Sequence, residues 1–156
     1  MEPALDEASL AARSGILFRP ARPEDAAELV GLVEELGYPS SPTHVAEHLR
    51  RVLEREDQVV LVAADGARIL GFVHALEFLT LASDPCALIS ALVVDRVARR
   101  RGVGRHLVDG AEAWARERGL SSMRLRSRVT RVEAHAFYRR LGYEPVKQQL
   151  QFRKAL

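Results

Sequence analysis

The stretch CALISALVVD, residues 86–95, constrains this chain more than any other. A strand that is wet on one face alternates apolar and polar residues. This one is almost continuously apolar, as a strand covered on both faces must be. It therefore predicts a central strand with a layer on either side. The next segment of the chain narrows the choice further. Residues 96–102, RVARRRG, form a short basic turn, and Val103, Leu107, Val108, Ala111 and Trp114 then recur at helical spacing until Gly119. The core of the prediction is thus strand, glycine-containing turn, helix.

The rest of the chain supplies the layers. Residues 15–20, GILFRP, read as a short strand closed by Pro20. A helix comes next, with Pro23, Glu24 and Asp25 in its first turn, where acidic side chains suit the helix dipole. Ala26, Leu29, Val30, Val33 and Leu36 mark its apolar face and Gly37 stops it. A second helix begins at Ser41 as N-cap with Pro42 at its first position, and buries Val45, Leu49, Val52 and Leu53. The period then changes to that of strands: QVVLVAA, a hairpin signal at Asp65-Gly66, and RILGFVHALEFL. After the long helix, SSMRLRS alternates as a strand. RVEAHAFYRRLG reads as a helix with Thr130 as cap and Gly142 as stop. Val146, Gln148, Leu150 and Phe152 alternate as a last strand. The order is β-α-α-β-β-β-α-β-α-β, a mixed α/β class with a mostly antiparallel first half. Residues 1–14 read as a loose tail and 15–156 as one domain.

The charge balance limits the partners. The 23 lysines and arginines face 21 acidic residues, for a net charge of +2. A dedicated nucleic-acid binder is usually more lopsided. Arg124, Arg126, Arg128 and Arg131 add to the basic turn, yet aromatics are only 6% and no stacking platform interleaves the arginines. The single cysteine, Cys86, excludes an internal disulfide and fits a reducing, cytoplasmic setting. No apolar run approaches the ~18 residues of a membrane span.

The basic turn carries the chemistry. A helix N-terminus presents unpaired N–H groups and partial positive charge, and glycines let backbone approach a ligand closely. Strand, glycine turn and helix together make an anion site. Gly102-Val103-Gly104 is followed by neither a Gly-Lys-Ser/Thr run nor a third glycine, so neither the Walker nor the Rossmann pattern applies. On spacing alone, an anion cradle and a plain tight turn with solvated arginines stand equal.

Two motifs resolve that tie. Arg99-Arg100-Arg101-Gly102-Val103-Gly104 resembles the R/Q-x-x-G-x-G/A acetyl-CoA signature of the GCN5-related N-acetyltransferases (GNATs). Downstream, AHAFYRRLGYEP, Ala134 to Pro145, resembles their helix carrying Phe-Tyr before Leu-Gly-Tyr/Phe. The motifs lie in the family's order, and the element order matches over about nine tenths of the chain. The resemblance implies a sheet splayed between its fourth and fifth strands, with acetyl-CoA as cosubstrate in the wedge. Backbone of Leu92, Val93 and Val94 would pair with pantetheine as with an added strand. Backbone N–H groups from Arg99 through Arg105 would surround the pyrophosphate. A homodimer is implied by the same analogy. Where many relatives carry an asparagine before the Phe-Tyr helix, this chain has Thr130 and Arg131. The segment from Ala134 to Leu156 also resembles aminoalkylphosphonate N-acetyltransferases over a short match. The acceptor implied is a small primary amine, with a protein or peptide amine as the alternative.

Acetyl transfer to an amine requires a neutral nucleophile, and an alkyl amine of pKa near 10 loses its proton at pH 7 only at a cost of about 4 kcal/mol. A general base is useful, acting directly or through water. The thioester oxygen gains charge and wants an N–H donor, here near Val93. The leaving thiolate wants a proton. Tyr138, at the Phe-Tyr position, is the candidate acid. Glu77, on the third strand, is the candidate base, and His74 on that strand points to the opposite face. No metal is expected in the reaction. His44 and His48 do share a helix face in an H-x-x-E-H string, the inverted zinc-protease pattern, but no third ligand is evident in the sequence.

Overall fold

The computed structural model describes residues 15–156, so the loose tail expected at residues 1–14 lies outside the described residues. Two compact units divide them, one ending at Leu125 and the other Arg126–Leu156.

The first unit is built on a five-stranded sheet in the order β1-β2-β3-β4-β5. Strands β1 (Leu17–Pro20), β2 (Gln58–Asp65), β3 (Arg68–Phe78) and β4 (Cys86–Val94) are successively antiparallel. The last, β5 (Met123–Leu125), runs parallel to β4. The expected hairpin at Asp65-Gly66 closes β2 on β3 with Asp65 opposite Arg68, and Gly66 takes φ +60°. The apolar run reads true: consecutive residues Cys86 and Ala87 point to opposite faces and both are fully buried.

Helices α1 (Ala26–Glu35) and α2 (Pro42–Leu53) cover one face. Leu29, Leu32, Val45 and Leu49 form one core with Val60, Val62, Phe72 and Val93 of the sheet. Helix α3 (Val103–Glu117) covers the other, where a Cβ on Gly110 would meet the Leu61 side chain at 2.8 Å. Ser41 caps α2 as expected, its Oγ accepting from His44 N at 3.1 Å. The start of the first helix differs from expectation. Pro23–Asp25 form a separate 3-10 turn, and Asp25 is buried rather than solvated at a helix end. Its carboxylate accepts from both Arg19 nitrogens at 2.8 Å and from Arg22 N at 2.7 Å. Burial is tolerated because a two-pronged guanidinium and a backbone N–H replace the lost water.

The second unit holds α4 (Val132–Arg140). Its N-cap is Arg131, with no side-chain cap, rather than Thr130. Gly142 ends it at φ +89°, and Tyr143 N donates back to Tyr138 O at 3.0 Å. The expected last strand is not formed. Residues 144–156 pair with no described strand, and Val146, Leu150 and Phe152 are 87%, 83% and 88% exposed. Alternation suits a segment to a sheet, but a strand exists only where a partner's backbone pairs with it. Among the described residues, no helix is long and apolar enough to cross a membrane.

Candidate active site

The site begins with a change in β4. Its first residues are paired on both sides: Ala87, Leu88 and Ile89 face β3 on one edge and Met123, Arg124 and Leu125 of β5 on the other. From Ser90 onward only the β3 edge is paired among the described residues. The divide coincides with a register shift. His74 faces Ala91 but Ala75 faces Ile89, which leaves Ser90 as an extra residue. A bulge of this kind bends the strand and increases its twist, which separates it from a neighbour that was in register before it. Ser90 Oγ donates to His74 O at 3.3 Å and holds the bulge to β3. Leu92, Val93 and Val94 thus present one unpaired backbone edge, as a splayed sheet requires.

Gly71 keeps that segment in place. A Cβ there would stand 2.7 Å from Val93 O and 3.2 Å from Val94 Cα, so only glycine allows β3 to approach this closely. Beyond Val94, Asp95 closes a 3-10 turn over Arg96–Ala98. Its carboxylate accepts from Val97 N at 3.1 Å and from Arg68 Nη2 at 2.8 Å. The Arg68 guanidinium, then the Val97 N–H, hold the Asp95 carboxyl below its usual range.

The next loop holds two left-handed residues. Arg100 takes φ +61° and Gly102 takes φ +77°. The first is uncommon for any residue other than glycine, asparagine or aspartate. Successive turns of this hand direct backbone N–H groups into one concavity. Gly102 is the N-cap of α3, whose first-turn N–H groups at Val103, Gly104 and Arg105 have no acceptor within the helix. His106 locks the turn: its backbone N and its Nδ1 both lie near Gly102 O, at 3.1 and 2.9 Å, and its ring stacks on Phe18 at 5.0 Å.

The arginines divide by task. Arg99 is a tether, with Nε donating to Val94 O at 3.1 Å and Nη2 to Glu35 of α1 at 3.3 Å. Its backbone N–H turns back to Arg96 O at 3.4 Å, so the concavity begins at Arg100. Arg105 lies 3.7 Å from Asp109 one turn on. Arg100 and Arg101 are exposed.

The remaining expected residues lie elsewhere. Glu77 faces Ala87, on the doubly paired end of β4, and Arg118 Nη2 donates to its Oε2 at 3.1 Å. Tyr138 sits on α4 in the second unit, its ring edge-on to Phe137 and Tyr143. Burial pushes its phenol pKa up, against a smaller opposing pull from Arg131, so it stays protonated at neutral pH. The His44 and His48 rings lie against one another, centroids 3.9 Å apart. Among the described residues, no group of three His, Cys, Asp or Glu side chains is placed to hold a metal. Sequence reasoning missed Gly71, the bulge at Ser90 and the Arg99 tether. Only Gly71 left a trace, as a glycine inside an otherwise apolar strand.

Residues 25–143 match the acetyltransferase (GNAT) family. The chain is 29% identical over 144 residues to aminoglycoside N(6')-acetyltransferase type 1 of Stenotrophomonas maltophilia, covering 89% of this chain and 93% of that protein. It is 30% identical over 152 residues to the protein of that name from Klebsiella aerogenes, covering 92% and 99%. Among solved structures, the aminoglycoside N-acetyltransferase AAC(6')-Iy in complex with CoA shares the fold, with a TM-score of 0.80 at 17% identity over 90% of this chain and 95% of that one. The chain belongs to the GNAT acetyltransferases. It is an acyltransferase with acetyl-CoA as cosubstrate. The residues fit that molecule: an unpaired strand edge suits an amide-bearing arm, and the first-turn N–H groups of α3 that follow suit a pyrophosphate.

Proposed function

We propose that the protein moves an acetyl group from acetyl-CoA to the primary amine of a small molecule, such as an aminoalkylphosphonate or an amino-acid-like compound, by direct attack in a ternary complex. The observation that carries this reading is the edge of β4 from Ser90 to Val94, unpaired by β5 and continuous with the left-handed loop at the head of α3.

The cosubstrate supplies an activated acyl group. The chain supplies position, donors and protons. Backbone of Leu92, Val93 and Val94 aligns the arm, and a backbone N–H near Val93 stabilises the oxyanion that develops as the amine nitrogen attacks the carbonyl carbon. The C–N bond forms and the C–S bond breaks. The amine proton leaves to a base, for which Glu77 acting through water is the candidate. The thiolate takes a proton, for which Tyr138 is the candidate by its place in the Phe-Tyr motif.

The test is a screen for acetyl-CoA-dependent thiol release across aminoalkylphosphonates, amino acids, polyamines, aminoglycosides and peptides. Activity on small amines with no turnover of peptides is expected. Silence across the panel, with no acetyl-CoA binding by calorimetry, defeats the reading. Within it, Tyr138→Phe is expected to lower kcat by about 10²-fold or more with acetyl-CoA affinity kept. Near-normal turnover removes Tyr138 from the role.

A further inference from the structure

A cavity lies where α2 ends and β2 begins. It is an open cavity of about 450 Å³ lined by His48, Arg51, Val52, Arg55 and Gln58. Each of its four polar side chains carries at least one N–H donor. Arg55 is held by Asp57 in a two-pronged pair, at 2.9 and 2.7 Å. Arg50, beside it on α2, is paired with Glu54. Arg51 has neither a hydrogen bond nor an ion pair among the described residues, so one positive charge of the cavity is uncompensated. Gln58 Oε1 lies 2.9 Å from His74 Nε2. Because a carbonyl oxygen only accepts, His74 donates there, and Gln58 keeps its NH₂ group to offer to the cavity.

Gln58, level with Leu88 across the sheet, links the cavity to β4 along one sheet face. Val60, His74 and Ala91 form one cross-strand row, and Gln58 precedes Val60 by two residues on the same face. Strand spacing and rise put Gln58 about 12 Å from Ala91, the first residue after the bulge. An arginine side chain leaning in from α2, plus an amine separated by about two or three carbons from an anionic group, covers a gap of that order.

We infer that this cavity is an oxyanion subsite for the acceptor: Arg51 and Gln58 hold a phosphate, phosphonate or carboxylate group while the amine reaches toward the open half of β4. The inference rests on the acetyl-transfer reading and adds to it the place that holds the acceptor's negative charge. A polycationic amine would instead meet the unpaired Arg51.

The experiment compares kcat/KM for O-phosphoethanolamine, β-alanine, propylamine and an aminoglycoside in the wild type, Arg51→Gln and Arg50→Gln. The expected result is preference for the two anionic amines over propylamine, and a tenfold or greater fall of that preference in Arg51→Gln. Arg50→Gln, whose charge is already paired, keeps it. O-phosphoethanolamine above β-alanine identifies the anion as a phosphoryl group, and the reverse as a carboxylate. Preference for propylamine or the aminoglycoside in the wild type overturns the inference, as does an unchanged preference in Arg51→Gln. If no amine is acetylated, the reaction reading has failed instead. Calorimetry with O-phosphoethanolamine then decides the subsite: binding lost in Arg51→Gln supports it, and no binding or equal binding overturns it.

Discussion

The two halves of β4 are one strand with two physical roles. Up to Ile89 it is core, paired on both edges, with Cys86 and Ala87 fully buried. After Ser90 it is a scaffold with an open edge, continued by a loop with two left-handed residues. One inserted residue separates the roles. The first half shows what backbone hydrogen bonds do when satisfied within the fold. The second shows that a strand can be held from one side while its other edge stays unpaired. If that division is correct, substitutions in the first half should cost stability and spare acetyl-CoA, and those at the second half and its loop should weaken acetyl-CoA binding as well.

The largest effect is expected in the first half. Ile89 is 5% exposed and sits between Ala75 and Leu125. Ile89→Ala should cost about 2–5 kcal/mol in urea unfolding, from lost burial and the cavity left behind. The KM for acetyl-CoA of the folded fraction should stay within twofold. A large rise in KM would break the division, because the paired half would then be shaping the cosubstrate site.

Gly71→Ala is the converse. The new methyl meets backbone at 2.7 Å, not a side chain that can turn away, so β3 and β4 must part. Overpacking of this kind costs about 1–3 kcal/mol. The displaced atoms are those of Val93 and Val94, so KM for acetyl-CoA should rise fivefold or more at temperatures where the variant is folded. Equal stability loss with an unchanged KM would show that the second half tolerates displacement.

Gly102→Val separates shape from space. A Cβ at Gly102 meets only the His106 ring, at 3.6 Å, an ordinary contact. The cost comes from φ +77°, about 1–2 kcal/mol for a side chain held in the left-handed region. Weaker acetyl-CoA binding by calorimetry, with a Tm drop of a few degrees, is the expected pair of results. Unchanged binding would mean that the loop does not hold the pyrophosphate.

The same contrast governs how much could be read from residues alone. The doubly covered strand, the two-helix layer, the hairpin and the helix after the glycine loop were legible because period and turn residues are local signals. The bulge at Ser90 was not: CALISALVVD contains no glycine or proline to mark it, and the extra residue exists only in the register with β3. The alternation at 146–152 misled for the same reason, since pairing belongs to two segments and only one was visible. Arg99 read as the first residue of the pyrophosphate loop, yet its side chain's partners are Val94 O and Glu35, the latter 64 residues away. Gly102 was legible because left-handed φ leaves its mark in residue choice. Arg100 shares that conformation and left none.

The smallest predicted effect concerns Asp95, which joins the open half of β4 to its loop. Asp95→Asn removes the charge pairing with Arg68 but keeps an oxygen able to accept from Val97 N. A pair this close to solvent is worth up to about 1 kcal/mol. The folded pKa is lowered, so the contribution is fully present above the unfolded value near 3.9 and is lost as pH falls through the folded value. The stability difference between wild type and Asp95→Asn in urea should therefore be constant from about pH 5 to 8 and shrink below about pH 4. A difference that instead grew toward acid pH would mean that Arg68 does not stabilise the ionised carboxylate. The junction would then be held by the Val97 hydrogen bond alone.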